Sequence, residues 1–283
     1  MSQTRRSFLT SLGGAAAVLA TGRRAFAAPN LSRGKISRIG IQLYTVRRVA
    51  EADLAGVLQS LGKIGYKEVE FAGYYKHPAS EVRDLLKQNG LTAPSAHIDL
   101  DAIETSPAKT FDDAKTIGLE WITVPSLPRG KRVTADDWKV LADRFNKAAA
   151  QAKSAGFRLA FHNHADVFKP MGDVSVTPLE ILMKETDPAL VSYEMDIYWA
   201  VFGGADPIAL LTRYPGRFKM LHVKDSSGPP SNKMVDVGAG TIDFKKVFAA
   251  ALGIEHYFVE HDEPADAIAS AAASYKYLSR LEF

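Results

Sequence analysis

The stretch Arg217-Phe218-Lys219-Met220-Leu221-His222-Val223-Lys224-Asp225 has the pattern of a short β-strand that ends in ionisable side chains. Side chains alternate between the two faces of a strand, so His222 and Lys224 share one face. Three other apolar runs end in the same way: 158–164 in His162 and His164, 191–196 in Asp196, and 256–262 in Glu260, His261 and Asp262. Repeated strand ends of this kind, each followed by a helix-like segment, predict one site at the carboxyl edge of a parallel sheet.

Strand-like and helix-like segments alternate along most of the chain. The predicted strands span residues 37–44, 66–71, 92–98, 120–124, 158–162, 191–196, 218–223 and 257–260. The predicted helices are 54–64, 79–88, 107–117, 135–155, 178–184, one that begins at Asp206-Pro207, 242–252 and 264–278. Eight βα units in about 245 residues predict a single α/β domain, a (β/α)8 TIM barrel. The alternative is an open doubly wound sheet, which would require a glycine-rich turn after strand one, and residues 44–48 contain no glycine.

The first 27 residues have the pattern of a twin-arginine export signal. Arg5-Arg6 precedes Ser7-Phe8-Leu9, an apolar run follows at residues 12–20, and Ala25-Phe26-Ala27 is a small-x-small cleavage site. The apolar run is too short and too rich in glycine and alanine for a membrane anchor. We therefore expect a signal peptide at 1–27, export to the periplasm, a lead-in at 28–35, a barrel at 36–283 and no membrane span in the mature protein.

Removal of the signal would change the charge balance. The whole chain has 35 basic and 32 acidic residues, and four of the basic residues are arginines of the signal, so the mature chain would carry 31 against 32, a net charge of −1. This balance provides no basic surface for nucleic acid. The chain has no cysteine, which excludes disulfides, a thiolate nucleophile and a cysteine-based zinc site.

Ionisable and polar side chains stand near almost every predicted strand end. In a barrel of this class the catalytic residues come from those ends. Charges there are costly unless they meet each other or a ligand. Carboxylates mixed with imidazoles indicate one divalent metal ion, Mn²⁺, Mg²⁺, Zn²⁺ or Co²⁺. The candidates are Gln42, Tyr44, Glu70, His97, His162, His164, Glu194, Asp196, His222, Lys224, Glu260 and Asp262.

The roles of several candidates stay open at this level. Asp196, His222 and Glu260 are the predicted metal ligands, and a satisfied salt-bridge network is the alternative. His162 is either a fourth ligand or a donor to a neighbouring carboxylate.

The remaining candidates are assigned to the surroundings of that site. His97 and Glu70 are expected to contact substrate or to support the ligands. Lys224 is a substrate contact or an ion-pair partner of Asp225 or Glu260. Tyr44 and Trp199 are candidates for a sugar-binding surface or for ordinary packing. His164 and Asp262 are placed in loops, with His164 among the substrate-binding candidates, and Glu194 one layer down in a structural role.

The chain resembles the sugar phosphate isomerase/epimerase superfamily, the xylose isomerase-like TIM barrels. The resemblance covers about residues 36–283. The motifs that carry it are Ile41-Gln42-Leu43-Tyr44-Thr45-Val46-Arg47, Phe161-His162-Asn163-His164, Met195-Asp196-Ile197-Tyr198-Trp199, Leu221-His222-Val223-Lys224-Asp225, Val237-Gly238-Ala239-Gly240-Thr241-Ile242-Asp243 and Val259-Glu260-His261-Asp262.

The resemblance implies a metal site and a reaction. Such enzymes typically hold one divalent metal with a Glu on strand five, an Asp on strand six, a His on strand seven and a Glu on strand eight, and the last three match Asp196, His222 and Glu260. The position of the strand-five Glu holds His162 here. The implied chemistry is proton transfer next to the carbonyl of a sugar, keto-sugar or polyol, with the metal polarising the carbonyl. Glu260 is then the acid/base, with His162 beside it.

The departure at His162 keeps other activities open. Without a second flanking carboxylate, one-base chemistry remains: same-face proton return, or elimination that cleaves a 3-keto-glycoside. A non-catalytic carbohydrate-binding protein is a further alternative. Phosphodiester cleavage, which occurs in endonuclease IV-type barrels of the superfamily, would require several metals and a basic face, and the charge of the mature chain argues against it.

Overall fold

Eight parallel strands close into a barrel in the computed structural model, which describes residues 34–125, 132–171 and 175–283. The barrel strands are β1 (Ile39–Gln42), β2 (Glu68–Phe71), β3 (Thr92–His97), β4 (Trp121–Val124), β5 (Arg158–His162), β6 (Val191–Asp196), β7 (Phe218–Val223) and β10 (His256–Val259). Their order around the barrel is β1-β10-β7-β6-β5-β4-β3-β2. The predicted (β/α)8 barrel is confirmed. The predicted signal, residues 1–27, and most of the predicted lead-in lie outside the described residues.

Helices connect the barrel strands. They are α1 (Arg47–Ala50), α2 (Leu54–Ile64), α3 (Ala79–Gln88), α4 (Leu100–Thr105), α5 (Pro107–Ile117), α6 (Ala135–Ser154), α7 (Pro178–Glu185), α8 (Ile197–Phe202), α9 (Pro207–Arg213), α10 (Phe244–Ala250) and α11 (Ala267–Leu278). Their ends follow local sequence rules. Thr134 and Thr177 form capping boxes at the starts of α6 and α7, and Asp206 caps α9 ahead of its proline. Within the described residues, every helix is too short or too polar to cross a bilayer.

Several boundaries differ from the predicted ones. Strand one ends at Gln42, and Leu43–Val46 form a 3-10 helix, so Tyr44 lies in that helix rather than in the strand. The Gln42 side chain accepts a hydrogen bond from the Tyr44 N–H at 3.1 Å, which closes the turn. The last barrel strand ends at Val259, so Glu260 is the first residue beyond it. The short helices α1, α4 and α8 were not predicted; α8 begins directly after β6 because Asp196 caps its first turn.

The interior of the barrel has an apolar floor and a polar layer above it. The floor consists of four fully buried side chains that form a cluster separate from the main core: Trp121, Ala160, Met220 and Phe258. Two residues further along each strand, on the same face, stand Thr123, His162, His222 and Glu260. Strand alternation therefore places the chemistry-bearing side chains directly above a dry floor, towards the carboxyl ends of the strands.

A second, two-stranded sheet lies in the connection after β7. It pairs β8 (Asp225–Ser226) with β9 (Met234–Val235) in antiparallel fashion. The buried Asp225 carboxylate organises the whole connection. Its Oδ2 accepts hydrogen bonds from the backbone N–H groups of Gly238 and Gly240 at 2.9 and 3.0 Å, and its Oδ1 accepts from Ser226 and Ile242 at 2.8 and 3.2 Å. The glycine at 240 is required, because a Cβ there would lie 2.2 Å from Asp225 Oδ1.

Candidate functional site

A cavity of about 500 Å³ opens at the carboxyl ends of the barrel strands. Seven of the residues that the sequence singled out line it: Tyr44, His97, His162, His164, Lys224, Glu260 and Asp262. Glu70, Asp196 and His222 are fully buried and lie beneath this surface. The fold therefore brings predicted side chains from the carboxyl ends of seven barrel strands into one region.

Three predicted metal ligands converge below the cavity, and we call Asp196, His222 and Glu260 the carboxylate triad. One donor atom from each lies within 4.8 Å of the others. Asp196 is adjacent to His222 across β6 and β7, and His222 Nδ1 lies 2.6 Å from Glu260 Oε2. Among the described residues, Asp196 Oδ2 accepts no well-directed hydrogen bond. Two carboxylate oxygens and an imidazole nitrogen are a donor set that fits a divalent cation.

The ammonium of Lys224 lies against the same carboxylates. Lys224 Nζ is 2.9 Å from Asp196 Oδ2, 2.8 Å from Glu260 Oε2 and 2.8 Å from Asp262 Oδ1. The sequence predicted a substrate contact or an ion pair of Lys224 with Asp225 or Glu260. In the structure Lys224 pairs with Glu260, Asp196 and Asp262, whereas the Asp225 carboxylate accepts hydrogen bonds from the backbone of its own loop. Lys224 also lies 5.9 Å from the centre of the Trp199 ring.

Burial and charge set the protonation states of the triad. Burial raises the pKa of Asp196 to about 6, although Lys224 and His222 act in the opposite direction. Burial also raises the pKa of Glu260, but the charges of Lys224 and His222 outweigh it and the net shift is downward. The pKa of Lys224 is raised far above its usual value, because Asp196, Glu260 and Asp262 outweigh the effect of burial. At neutral pH the site therefore holds a Glu260 carboxylate beside a Lys224 ammonium.

His97, His162, Glu194 and His222 form a second group, which we call the imidazole cluster. Glu194 Oε2 lies 3.1 Å from His97 Nε2, 3.0 Å from His162 Nδ1 and 3.0 Å from His222 Nε2. His162 is therefore bonded to Glu194, and its Nε2 is 3.7 Å from Asp196 Oδ2. His222 belongs to both groups: its Nδ1 faces Glu260 of the carboxylate triad, and its Nε2 faces Glu194 of the imidazole cluster.

The imidazoles of the cluster differ in charge. Burial lowers the pKa of His222, but Glu194, Glu260 and Glu70 raise it by more, so its net pKa lies well above the usual value. Burial opposes the charge of His97 too, but Glu70 and Glu194 raise its pKa to about 9. The pKa of His162 is lowered well below its usual value, first by burial and then by the charge of His222. The cluster thus contains two imidazolium rings and a neutral ring, the form that ligates metals.

Glu70 supports the imidazoles from inside the barrel. Its carboxylate is fully buried and lies 2.6 Å from His222 Nε2 and 3.3 Å from His97 Nε2. Gln42 Nε2 donates to it at 2.7 Å and Ser95 Oγ at 2.5 Å. Burial raises the pKa of Glu70, but the charges of His97 and His222 and the hydrogen bonds from them outweigh it, and the net shift is downward. The placement suits a residue that orients ring nitrogens.

Tyr44 and His164 line the mouth of the cavity. Trp199, on α8, is half-buried beside His164, with the two ring centres 5.8 Å apart. Its Nε1–H has no partner among the described residues. Tyr44 is 40% exposed and stacks under the Arg47 guanidinium at 3.8 Å. An exposed flat ring such as that of Tyr44 can contact a polyhydroxylated ligand.

Sequence reasoning overlooked three contributions to the site. Glu194 was assigned a structural role, yet it is the centre of the imidazole cluster. The signal was present, because Glu194 stands two residues before Asp196 on the same face of β6. Asp262 lies in a loop, as predicted, and it also binds Lys224, which the sequence did not indicate. Asn163 was not considered; its side chain bonds the backbone of Asp196 at 3.1 and 3.3 Å.

The sequence of this chain matches a known family and several known proteins. It matches the family described as xylose isomerase-like TIM barrel over residues 58–278. Inosose dehydratase of Geobacillus kaustophilus is 30% identical over 194 residues, which is 60% of this chain and 61% of that protein. Inosose dehydratase of Clostridium tetani is 34% identical over 131 residues, 41% of this chain and 43% of that protein. The chain thus spans about three fifths or less of the length of these curated relatives.

A solved structure is similar over nearly the whole chain. It is a sugar phosphate isomerase/epimerase from Parabacteroides distasonis, 27% identical, with a TM-score of 0.77. The match covers 86% of this chain and 94% of that one. The similarity therefore extends beyond individual motifs to the complete barrel.

Proposed function

We propose that this chain, which belongs to the family of xylose isomerase-like TIM barrels, is a divalent-metal-dependent enzyme that acts on a sugar, keto-sugar or polyol by proton transfer next to a carbonyl. The observation that carries the proposal is the carboxylate triad at the base of the cavity. Asp196, His222 and Glu260 bring their donor atoms within 4.8 Å of one another, and His162 lies beside them. A divalent ion held there would supply Lewis-acid polarisation of the substrate carbonyl.

Glu260 is the proposed acid/base. It lines the cavity, so a substrate can reach it, and its lowered pKa keeps it deprotonated at neutral pH. Lys224 and His222 hold the carboxylate in place at 2.8 and 2.6 Å. A positioned carboxylate next to the substrate carbon is the geometry that general-base catalysis requires. His97, His164 and Tyr44 line the space in which the hydroxyl groups of the substrate would lie, and Trp199 packs beside His164.

An elimination is the second candidate reaction, and two observations favour it. Both curated relatives reported above, at 30% and 34% identity, are named inosose dehydratase. His162 also stands where a second flanking carboxylate would be needed to return a proton to the opposite face. In this reaction Glu260 takes the proton next to the carbonyl, the electron pair forms a double bond, and the bond to the leaving oxygen breaks. His97, which lines the cavity as an imidazolium, donates the proton to that oxygen. The leaving group is water or the aglycone of a 3-keto-glycoside.

The proposal is tested by metal analysis and a product screen on keto-sugars, inososes and 3-keto-glycosides, read by mass spectrometry. Isomerisation leaves the mass of the substrate unchanged, and elimination releases water or an aglycone. Glu260→Gln should lower kcat by about 10²–10⁴-fold. The control is Glu263→Gln, an exposed acid paired with Arg47 and Arg48 in the same loop, which should keep its activity. Sugar binding without any product would identify a carbohydrate-binding protein instead, and a purified chain without divalent metal would refute the metal dependence.

We also propose that the protein is exported by the twin-arginine route. Arg5-Arg6, the apolar run and Ala25-Phe26-Ala27 support this, as they follow one another in the order of such a signal. A reporter fused behind residues 1–35 should reach the periplasm, and the double change Arg5→Lys and Arg6→Lys should keep it in the cytoplasm. Equal export of both fusions would contradict the proposal.

A further inference from the structure

We propose that the imidazole cluster, His97, His162, Glu194 and His222, is a second divalent-cation site, suited to a nitrogen-preferring ion such as Zn²⁺ or Co²⁺. It goes beyond the proposed function, because it uses donors other than Asp196 and Glu260. Three imidazoles and one carboxylate are a donor set that favours zinc-like ions over Mg²⁺ or Ca²⁺.

The spacing of the donor atoms is close to that of a four-coordinate site. All four donor atoms lie within 4.8 Å of one another, and Glu194 Oε2 is 3.0–3.1 Å from a nitrogen of each histidine. Ligand bonds of about 2.0–2.1 Å in a tetrahedral zinc site separate neighbouring ligand atoms by roughly 3.3 Å. Small side-chain adjustments would therefore create the site, without movement of the strands that carry it.

Glu194 provides an independent sign that the cluster lacks a partner. Its side chain is fully buried, and its Oε1 has no hydrogen-bond partner among the described residues. A buried carboxylate oxygen without a donor is costly, and native proteins rarely leave one so. A cation inside the cluster would bind Oε1 and so satisfy it, or would bind Oε2 instead.

Among the described residues, no lysine or arginine pairs with the cluster, so its positive charges are those of its own imidazolium rings. The ion pairs of Glu194 within the described part of the chain are all with histidines, whereas Lys224 lies on Asp196, Glu260 and Asp262. The carboxylate triad is thus already compensated by an ammonium group, and the imidazole cluster is not. An incoming divalent ion would take the place of the ring protons there.

Surrounding carboxylates are placed to orient the proposed ligands. Glu260 Oε2 lies 2.6 Å from His222 Nδ1, so with the cluster alone filled the ring can donate there while Nε2 faces the ion; with both sites filled the ring would bind as an imidazolate, one nitrogen to each ion. Glu70 Oε2, 2.6 Å from His222 Nε2, would either turn to its donors Gln42 and Ser95 or become a further oxygen ligand. His97 and His162 both line the cavity, which gives an ion a route of entry.

The test uses Co²⁺ as the probe, titrated into the metal-free full-length protein and followed by visible absorption and calorimetry. X-ray absorption of the Co²⁺- and Zn²⁺-loaded protein counts the imidazole ligands. The expected result is a four- or five-coordinate ion with three imidazoles. Glu194→Gln and His97→Asn should each weaken Co²⁺ binding at this site by about 100-fold or more, since loss of an orienting partner alone costs about 10–100-fold.

Two control variants separate the cluster from its neighbours. His164→Gln removes an exposed histidine whose ring lies 4.9 Å from that of His162, and Asp196→Asn removes a ligand of the triad alone. Both should keep the three-imidazole spectrum. A Co²⁺ spectrum that is lost in Asp196→Asn but retained in Glu194→Gln would overturn the second site and leave the proposed function standing.

The wild-type spectrum decides the case if a variant fails to fold. A single imidazole in the first coordination shell at saturation refutes the cluster as a site. Retained catalysis with Mg²⁺ or Mn²⁺ together with no uptake of Co²⁺ or Zn²⁺ at the cluster also refutes it. Absence of any divalent ion would refute the cluster and the metal dependence of the proposed function together.

Discussion

The ammonium nitrogen of Lys224 lies 2.9 Å from Asp196 Oδ2, on an oxygen that would face a divalent cation in the carboxylate triad. Glu260 Oε2, the second oxygen of the triad, is 2.8 Å from the same nitrogen. A divalent ion and Lys224 therefore compete for these oxygens. Asp262 Oδ1, 2.8 Å from Nζ, gives the ammonium another partner when it withdraws from the triad. Metal loading is thus expected to move Lys224 towards Asp262 and the cavity.

Substitution Lys224→Met tests this competition. Without the ammonium the buried carboxylates lose their charge partner, so the metal-free variant should be less stable by about 3–5 kcal/mol. The same change should increase divalent-metal affinity by roughly tenfold or more, since a competing positive charge within 3 Å is removed. Urea unfolding and metal calorimetry measure the two effects. The control is Lys219→Met, on β7, whose ammonium lies 3.7 Å from Glu255 Oε1. Equal metal affinity of the two variants would contradict the competition.

Divalent metal should stabilise the protein against heat. An ion at about 100 times its dissociation constant adds about 2.7 kcal/mol, which corresponds to a rise in Tm of roughly 5–10 °C for a domain of this size. Chelation should reverse the rise, and Asp196→Asn should reduce it. Differential scanning fluorimetry with Mn²⁺, Mg²⁺, Co²⁺ and Zn²⁺ measures the effect. A Tm that does not respond to any of the four ions would contradict the expected stabilisation of the folded barrel by bound metal.

The Asp225 carboxylate should be essential for the loop that follows β7. The carboxylate accepts hydrogen bonds from four backbone N–H groups. In Asp225→Asn the amide NH2 group would face two of these donors and could not accept from them. Loss of buried acceptors of this kind costs about 2–4 kcal/mol. Urea unfolding and hydrogen exchange at Gly238 and Gly240 measure it. Asp243→Asn is the matched control, since asparagine also caps a helix and the cost there should stay below about 0.5 kcal/mol. Equal losses in the two variants would refute the role of Asp225.

The Glu68 cluster at the opposite end of the barrel should make stability depend on pH. Burial raises the pKa of Glu68, but hydrogen bonds from His256 and Arg38, at 2.8 and 2.6 Å, outweigh it and the net shift is downward. A lowered folded-state pKa stabilises the fold above the unfolded value, 4.5, and that contribution is lost as the pH falls through the folded-state pKa.

The matching experiment compares wild type with Glu68→Gln. Urea unfolding should show a difference of about 1–3 kcal/mol at pH 7, which stays constant to about pH 5 and shrinks below it. Glu51→Gln, at an exposed position, should differ from wild type by less than about 0.5 kcal/mol throughout. A Glu68→Gln difference that grows on acidification would show that the sign of the shift is wrong.

Most of the barrel could be predicted from the sequence because its signals are local. Alternation and apolar runs mark the strands, and Asp206-Pro207 or Gly118 mark helix ends within one turn of where they occur. The sequence did not reveal the 3-10 turn at Leu43–Val46 or the helices α1, α4 and α8. Each is shorter than two turns, too short for a clear period, and each is held by capping or by packing on the barrel.

The sequence by itself determined the barrel and the set of side chains at the carboxyl ends of its strands. Only the tertiary structure decided which of them meet. Glu70 and His222 are 152 positions apart and form a 2.6 Å contact, because closure of the barrel brings β2 opposite β7. The same closure places Glu194 among three imidazoles and Lys224 on the triad. Strand alternation is a local property, whereas distances across a closed barrel depend on the register of all eight strands at once.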